Sequence, residues 1–302
     1  MIWLTWRQHR VALIGVAAFA VGLASWLASY LGSVQEVNTA CGQHECWGGT
    51  VAVLGDQVWQ IDIVLLFFSP VLAGLVAVFW GAPLLSREYE QRTYLVAWGQ
   101  DVSPARWLGG RAALLTGAVL LLSVPLAIIS WLLVEAVRIS GARGSTGPYQ
   151  TLDLWPAIPV VQALFGLALG VAIGALLRRT LVAMGATLAV YAVVRLTISS
   201  TVLWWLPPQR QVYPIGQPSP LPADAAMVRT GLLDDAGNPV VPAVGCDQQC
   251  FAERGIRHGY LDVQPLDRLE LLTWMEVIAY GLMALGLAWL AWARVRRTTR
   301  VG

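Results

Sequence analysis

The sequence predicts an all-α polytopic membrane protein with six transmembrane helices, both termini cytoplasmic, and a partly irregular external segment before the last helix. Hydrophobic residues make up 57% of the 302 residues and charged residues 13%, and the mean hydropathy is +0.60, which is far from a typical soluble domain. A helix needs about 20 mostly apolar residues to cross a bilayer. Six windows of that kind occur, at Val11–Leu31, Asp62–Leu85, Ala112–Val137, Trp155–Leu177, Thr180–Leu203 and Leu271–Ala293.

The first window follows Arg7 and Arg10, as the apolar core of a secretory signal peptide follows basic residues. Its apolar run of about 21 residues is longer than the roughly 7–15 residues of a signal peptide. We therefore expect a first span that is retained in the mature protein.

Arginine placement indicates the orientation, because short cytoplasmic loops are enriched in basic residues. All 20 basic residues are arginines. The short external loops would hold only Arg138 and Arg143, and the long external insertion, residues 204–270, is largely exempt from the rule. The cytoplasmic side would then hold most of the arginines: Arg7, Arg10, Arg87, Arg92, Arg106, Arg111, Arg178, Arg179, Arg294, Arg296, Arg297 and Arg300.

The external insertion holds 9 of the 16 prolines, so we expect an irregular, extended start. Further along, "GLLDDAGNPVV", residues 231–241, predicts a short hairpin that turns at Asp235–Asn238. "CFAERG", residues 250–255, predicts one helical turn.

All four cysteines lie on the predicted external side, where an oxidising environment favours disulfides. Pairing within each loop is slightly favoured, and a bridge between the two loops is the rival arrangement. A zinc site that also uses His44 and His258 is a weaker alternative, because neither cysteine pair has the C-x-x-C spacing. We expect no metal. The cysteines are Cys41, Cys46, Cys246 and Cys250.

Charged residues inside membrane windows are costly and indicate functional sites. Arg195 lies roughly 22 Å from the inner start of the fifth window at 1.5 Å per residue, and Glu135 and Glu276 should lie at a similar depth. These side chains could form an ion pair or a triad in the outer leaflet. Alternatively, Arg195 extends to the headgroups and both glutamates are hydrated.

The fourth window carries three glycines spaced four residues apart, Gly166, Gly170 and Gly174, on one face of the predicted helix. Small residues at this spacing let two helices approach closely. A neighbour within the same chain is favoured over a neighbour in a second chain.

Several sites for chemistry are missing from the sequence. Because there is no lysine, there is no G-x-x-x-x-G-K-[ST] phosphate-binding loop, so we expect no ATP site in this chain. H-E-x-x-H and G-x-S-x-G are also absent, and the net charge of +2 is too small to suggest nucleic acid.

The longest cytoplasmic loop, residues 86–106, joins the second and third windows. "SREYEQRTYLVAW" would continue the second helix past the membrane, and Gly99 would end it. Ser103 followed by Pro104 is typical of a helix start. Such a loop could dock into a soluble partner, or it could be an ordinary solvated connector.

The same region, "REYEQRTYLVAWGQDVSPARWLGGR", residues 87–111, resembles the cytoplasmic loop of bacterial type-2 ABC transporter permeases, especially the actinobacterial kind. "WLTWRQHR", residues 3–10, resembles the amphipathic connecting segment of that family, which implies an N-terminal interfacial segment at residues 1–10. The chain departs from the family at Arg92, where glycine is usual, and at Arg111, where lysine is common. The matching loop residues are Thr93, Ala97, Trp98, Gln100, Val102, Ser103, Arg106, Trp107 and Leu108.

The resemblance implies a single permease domain over residues 1–302, in a bacterial plasma membrane, that forms an export path with a second permease copy. A separate ABC ATPase would bind ATP and Mg and drive transport, so this chain would have no cofactor of its own and would contact only that ATPase, its permease partner and membrane lipids. The residues implied in coupling to the ATPase are Glu88, Glu90, Arg92, Thr93, Ser103 and Arg106. A membrane-embedded thiol-disulfide enzyme and a non-transporting receptor or assembly factor are the alternatives.

Overall fold

Six helices of the described chain are long and apolar enough to cross a membrane, as the sequence predicts. We number them span 1 to span 6 and name their inner and outer ends by the predicted orientation. The computed structural model describes residues 2–41, 57–91, 104–139, 155–217, 225–241 and 248–298.

Two of the spans have a change of helix type along their length. Span 2 consists of an α-helix, Gln57–Leu75, a π-helical segment, Val76–Gly81, and a second α-helix, Ala82–Glu90. Span 5, Thr180–Thr201, ends in a short 3-10 turn. The other spans are α-helices throughout: span 1, Ile2–Cys41; span 3, Pro104–Ile139; span 4, Ala157–Leu177; and span 6, Leu266–Thr298.

Span 1 includes the segment at residues 1–10 that the resemblance assigns to an interfacial element. Residues 2–10 are the first turns of the same 40-residue helix. No glycine or proline interrupts the chain before Gly15, so nothing in the sequence ends the helix earlier. A helix of this length is about 60 Å long at 1.5 Å per residue, about twice the hydrocarbon thickness, so it extends beyond the membrane.

Span 4 lies at the centre of the helix bundle. Its residues Ile158, Ala163 and Ala172 are completely buried, and it contacts spans 2, 3, 5 and 6. Span 1 packs mainly against span 3 and leaves large apolar side chains such as Phe19 and Val21 exposed. An exposed apolar face suits a helix that lies against lipid.

The external insertion contains an antiparallel sheet in the order β1-β4-β2-β3. The predicted hairpin is confirmed, because β2 and β3 pair on either side of a turn in which Gly237 has a φ of 82°. The predicted helical turn is also confirmed, as a helix at Gln248–Glu253. The strands are β1, Gln209–Pro214; β2, Ala225–Asp234; β3, Pro239–Val240; and β4, Ile256–Pro265.

The expectation of an irregular start was wrong for residues 209–214, which form β1. Pro214 is tolerated because it is the last residue of a strand at the edge of the sheet, where its missing N–H is not needed. Strand β4 was missed, although Leu261, Asp262, Val263 and Gln264 alternate between apolar and polar residues. Both faces of the strand are buried there, including the polar residues Asp262 and Gln264.

Candidate functional site

The inner end of span 2 holds the first part of the predicted coupling loop. Glu88 is buried there, whereas Glu90 and Arg106 are exposed. The remaining predicted coupling residues, Arg92, Thr93 and Ser103, lie outside the described residues.

Glu88 forms a buried ion pair with Arg111 of span 3. Arg111 Nη1 donates a hydrogen bond to Glu88 Oε1 at 2.6 Å, and the two residues are 7% and 8% exposed. The Arg111 guanidinium also lies 4.1 Å from the centre of the Trp107 ring. Glu88 therefore fastens the end of span 2 to the first turns of span 3. The sequence analysis missed this pairing: it placed Arg111 on the cytoplasmic side and noted it as a departure from the family.

Glu90 binds the start of span 5. The backbone N–H of Thr180 donates to Glu90 Oε2 at 2.9 Å, so a carboxylate lies at a helix N-terminus, where negative charge is favourable. One residue earlier in the chain, the centre of the Tyr89 ring lies 5.3 Å from the guanidinium carbon of Arg178, which is positioned over the ring. Together these contacts attach the end of span 2 to the turn between spans 4 and 5.

That turn consists of only two residues, Arg178 and Arg179. Arg178 has a φ of 53°, in the left-handed region, and Arg179 is extended. Because span 4 ends at Leu177 and span 5 begins at Thr180, the connection between the two helices is too short to lengthen appreciably.

The glycine stripe of span 4 faces the backbone of span 2. A Cβ at Gly166 would lie 2.5 Å from the carbonyl oxygen of Ala73, and a Cβ at Gly170 or Gly174 would meet the carbonyl oxygens of Ala77 or Ala82. The stripe thus packs against a neighbour in the same chain, and part of that neighbour is the π-helical segment. Segments of π-helix inside α-helices occur frequently at functional sites, and this one gave no signal in the sequence.

Within the membrane region, Arg195 of span 5 and Glu276 of span 6 form an ion pair. Arg195 Nη1 and Glu276 Oε1 lie 3.6 Å apart, and the side chains are 11% and 2% exposed. The pair is therefore inside the protein rather than hydrated. Glu135 on span 3 is half-buried, and the triad stays a prediction.

Other buried polar side chains lie on the helices around this pair. Ser69 Oγ donates to Gln162 Oε1 at 2.8 Å, and the Tyr191 hydroxyl donates to the carbonyl oxygen of Pro70 at 3.0 Å. Tyr191 precedes Arg195 by one helical turn, so it shares its face of span 5. These contacts connect spans 2, 4 and 5 through polar groups that sequence reasoning missed, although polar residues inside apolar windows are their visible signal.

The external sheet is fastened to the outer ends of spans 5 and 6. Gln264 Nε2 of β4 donates to the carbonyl oxygens of Leu203 and Leu206, at 3.0 and 2.7 Å. Arg268 Nη1, in the first turn of span 6, donates to the carbonyl oxygen of Pro207 at 2.9 Å. The chain segments that enter and leave the sheet are thus bonded to each other at its base.

A second contact fixes β1 on β4. Arg210 donates through Nε and Nη2 to the two carboxylate oxygens of Asp262, at 2.8 and 2.9 Å, and its guanidinium lies 4.3 Å from the Tyr260 ring centre. These hydrogen bonds from Arg210 hold the pKa of Asp262 below its usual value, and Asp262 in turn raises the pKa of Arg210.

Two of the four cysteines fall in the described residues, Cys41 at the end of span 1 and Cys250 in the short helix. Neither is a free thiol. Cys46 and Cys246 lie outside the described residues, as does His44. Across the described part of the chain, no cluster of three or more His, Cys, Asp or Glu side chains could hold a metal ion.

These helices define a polytopic helical membrane protein with polar contacts inside the bundle and a tightly fastened inner end of span 2. A family model described as "ABC-2 membrane transporter related" matches residues 5–203, more than half of the chain, so the protein belongs to that family. Membership implies an ABC ATPase partner in general. No curated protein and no solved structure matches the chain. The family match ends just before the external sheet.

Proposed function

We propose that this chain is the membrane subunit of an ATP-driven ABC exporter, coupled to separate ATPase subunits through the loop between spans 2 and 3. The family supports a transporter membrane subunit. The observation that carries the coupling is the inner end of span 2, where Glu88 binds span 3 and Glu90 binds the start of span 5. A push on the loop would move several spans together.

In this proposal the chain has no ATP site of its own. The absence of lysine excludes a phosphate-binding P-loop of the usual kind, so ATP and Mg bind to the partner ATPase. Two permease copies, identical or related, would form the path. Both termini and the ends of the loop would face the cytoplasm of a bacterium, and the loop resemblance supports the actinobacterial kind.

The external side completes the proposal. All four cysteines would form disulfides there, which suits Cys41 and Cys250 not being free thiols. The sheet on spans 5 and 6 would cover the exit of the path, since it is bonded to the outer ends of both helices.

The test is purification in mild detergent with native neighbours, followed by an assay of vanadate-sensitive ATP hydrolysis. We expect an ABC ATPase to copurify and to hydrolyse ATP. A thiol-disulfide enzyme or a receptor would bring no ATPase, and that result would overturn the proposal.

Charge reversal at an exposed arginine tests the loop itself. Arg106→Glu changes a predicted coupling residue that is exposed, whereas Glu88 and Arg111 are buried. Arg297→Glu is the matched control, because Arg297 is also an exposed arginine at the predicted inner surface. We expect Arg106→Glu to reduce ATPase copurification several-fold and Arg297→Glu to leave it unchanged; equal effects would contradict coupling through the loop.

A further inference from the structure

The contact between Glu90 and Thr180 joins the predicted coupling loop to a helix that lies 90 residues further along the chain. Glu90, within the predicted coupling loop, is the last helical residue of span 2, and Thr180 is the first residue of span 5. The hydrogen bond runs from the Thr180 backbone N–H to Glu90 Oε2, and the stacking of Arg178 on Tyr89 lies beside it. Two independent contacts therefore hold the same two elements together.

The surrounding packing leaves little freedom for these elements to slide past each other. Gly170 and Gly174 of span 4 lie directly on the backbone of span 2, so the two helices are packed in close contact there. The two-residue turn then passes any tilt of span 4 to Thr180, because no flexible linker lies between the helices. Displacement of Glu90 thus acts on span 5 directly.

Span 5 leads from this contact to the outer end of the protein. Its buried face carries Tyr191, which donates to the Pro70 carbonyl, and Arg195, which pairs with Glu276 of span 6. Just beyond its last turn, the carbonyl oxygen of Leu203 accepts a hydrogen bond from Gln264 in the sheet. The same helix is therefore bonded to the loop end at the inner side and to the sheet at the outer side.

We infer that Glu90 is a positioning residue that transmits movement of the coupling loop through the Arg178–Arg179 turn to span 5 and the external sheet. This inference rests on the proposed exporter function. It assigns the turn between spans 4 and 5 a role in coupling beside that of the loop between spans 2 and 3.

A proline at position 180 removes the donor with little other change. Proline lacks the N–H but is well tolerated at the first position of a helix. It also requires an extended residue before it, and Arg179 already has φ −125° and ψ 121°. Thr180→Val is the matched control, because it removes the hydroxyl and keeps the N–H. Glu90→Ala removes the acceptor, so the inference remains testable if the proline variant folds poorly.

The measurement is a distance between spin labels at Ile139→Cys, at the outer end of span 3, and Ala236→Cys, in the β2–β3 turn, both of which are exposed. The copurified complex is trapped with ATP, Mg and vanadate, and labelled protein is diluted with unlabelled protein. We expect trapping to change the distance with the native Thr180 and in Thr180→Val. In Thr180→Pro the change should be at least halved, while the rate of ATP hydrolysis stays within about twofold. In Glu90→Ala the change should also be at least halved.

The outcomes separate the two ideas. A full distance change in both Thr180→Pro and Glu90→Ala would overturn the inference and leave the exporter proposal standing. So would a complex that hydrolyses ATP without any distance change. If no ATPase copurifies, the proposed function fails and the inference fails with it.

Discussion

Among the described helices, one buried ion pair joins two spans at the inner end and another joins two spans near the outer end. The two pairs differ in the distance between the paired nitrogen and oxygen atoms. Arg111 and Glu88 share a hydrogen bond of 2.6 Å, and a tryptophan ring lies against the guanidinium. The nearest paired atoms of Arg195 and Glu276 lie 3.6 Å apart, beyond the range of a hydrogen bond. The inner pair is therefore a firm attachment, and the outer pair is a looser electrostatic contact.

This difference indicates how the protein could move during transport. In the proposed coupling, a firm inner end would keep the end of span 2 together with the starts of spans 3 and 5 when the loop moves. The longer Arg195–Glu276 contact can lengthen at a lower cost, within the limits that the hydrogen bonds at the base of the sheet set for the outer ends of spans 5 and 6. We expect the inner end to move as one body and the outer end to change shape.

The largest expected effect is at the inner pair. Arg111→Met removes the buried arginine that donates to the Glu88 carboxylate, and breaking a buried pair in this way costs about 3–5 kcal/mol. Thermal or denaturant unfolding in mild detergent measures the loss, and Arg297→Gln, at an exposed arginine, is the matched control with a loss below about 0.5 kcal/mol.

Replacing both members of the inner pair sharpens this result. Glu88→Leu combined with Arg111→Met buries no unpaired charge, so most of the lost stability should return. A single Arg111→Met variant that unfolds like the native protein would show that the inner attachment is not firm.

A smaller effect is expected at the outer pair. Glu276→Gln keeps the shape of the side chain and removes the charge that faces Arg195, which should cost about 1–3 kcal/mol. A double-mutant cycle with Arg195→Gln gives the coupling energy of the pair, and the same cycle on Glu88 and Arg111 gives the inner value. An outer coupling as large as the inner one would refute the contrast between the two ends.

The six spans could be read from the sequence because the bilayer demands long apolar runs, and such runs are visible without knowing which residues touch. The depth of Arg195 and Glu276 could be estimated for the same reason, since each residue of a helix rises by a fixed 1.5 Å. Both arguments depend only on local sequence.

The site contacts were hidden because they join residues far apart in the chain. Glu88 and Arg111 are separated by the loop, and nothing near Glu90 indicates that its partner is a backbone N–H at Thr180. The π-helical segment has no sequence signature either. It lies where span 2 packs against the glycines of span 4, and a single sequence does not show that contact. These features arise from tertiary packing, which a single sequence does not display.

The smallest effect is expected in the external sheet. Its measurement shows whether the sheet is held as loosely as spans 5 and 6 are by the Arg195–Glu276 pair. Asp262 is held by two hydrogen bonds from Arg210, although the arginine side chain is 46% exposed, which weakens the pair by solvent screening. We expect Asp262→Asn to lower the free energy of opening β4 by about 1 kcal/mol at neutral pH, as measured by amide hydrogen exchange. Asp235→Asn is the matched control, because the Asp235–Arg257 pair is exposed at both residues and 3.4 Å long.

The pH dependence of that difference follows from the lowered pKa of Asp262. A carboxylate whose pKa is lower in the folded state adds stability above its ordinary pKa, for which the reference value is 3.8, and loses that contribution as the pH falls through the folded pKa. The gap between native protein and Asp262→Asn should therefore stay constant from neutral pH down to about pH 4 and close below it. A stability difference that persists in strong acid would mean that packing of the Asp262 side chain, rather than its charge, holds β1 on β4. The sheet would then resemble the firmly attached inner end of the molecule.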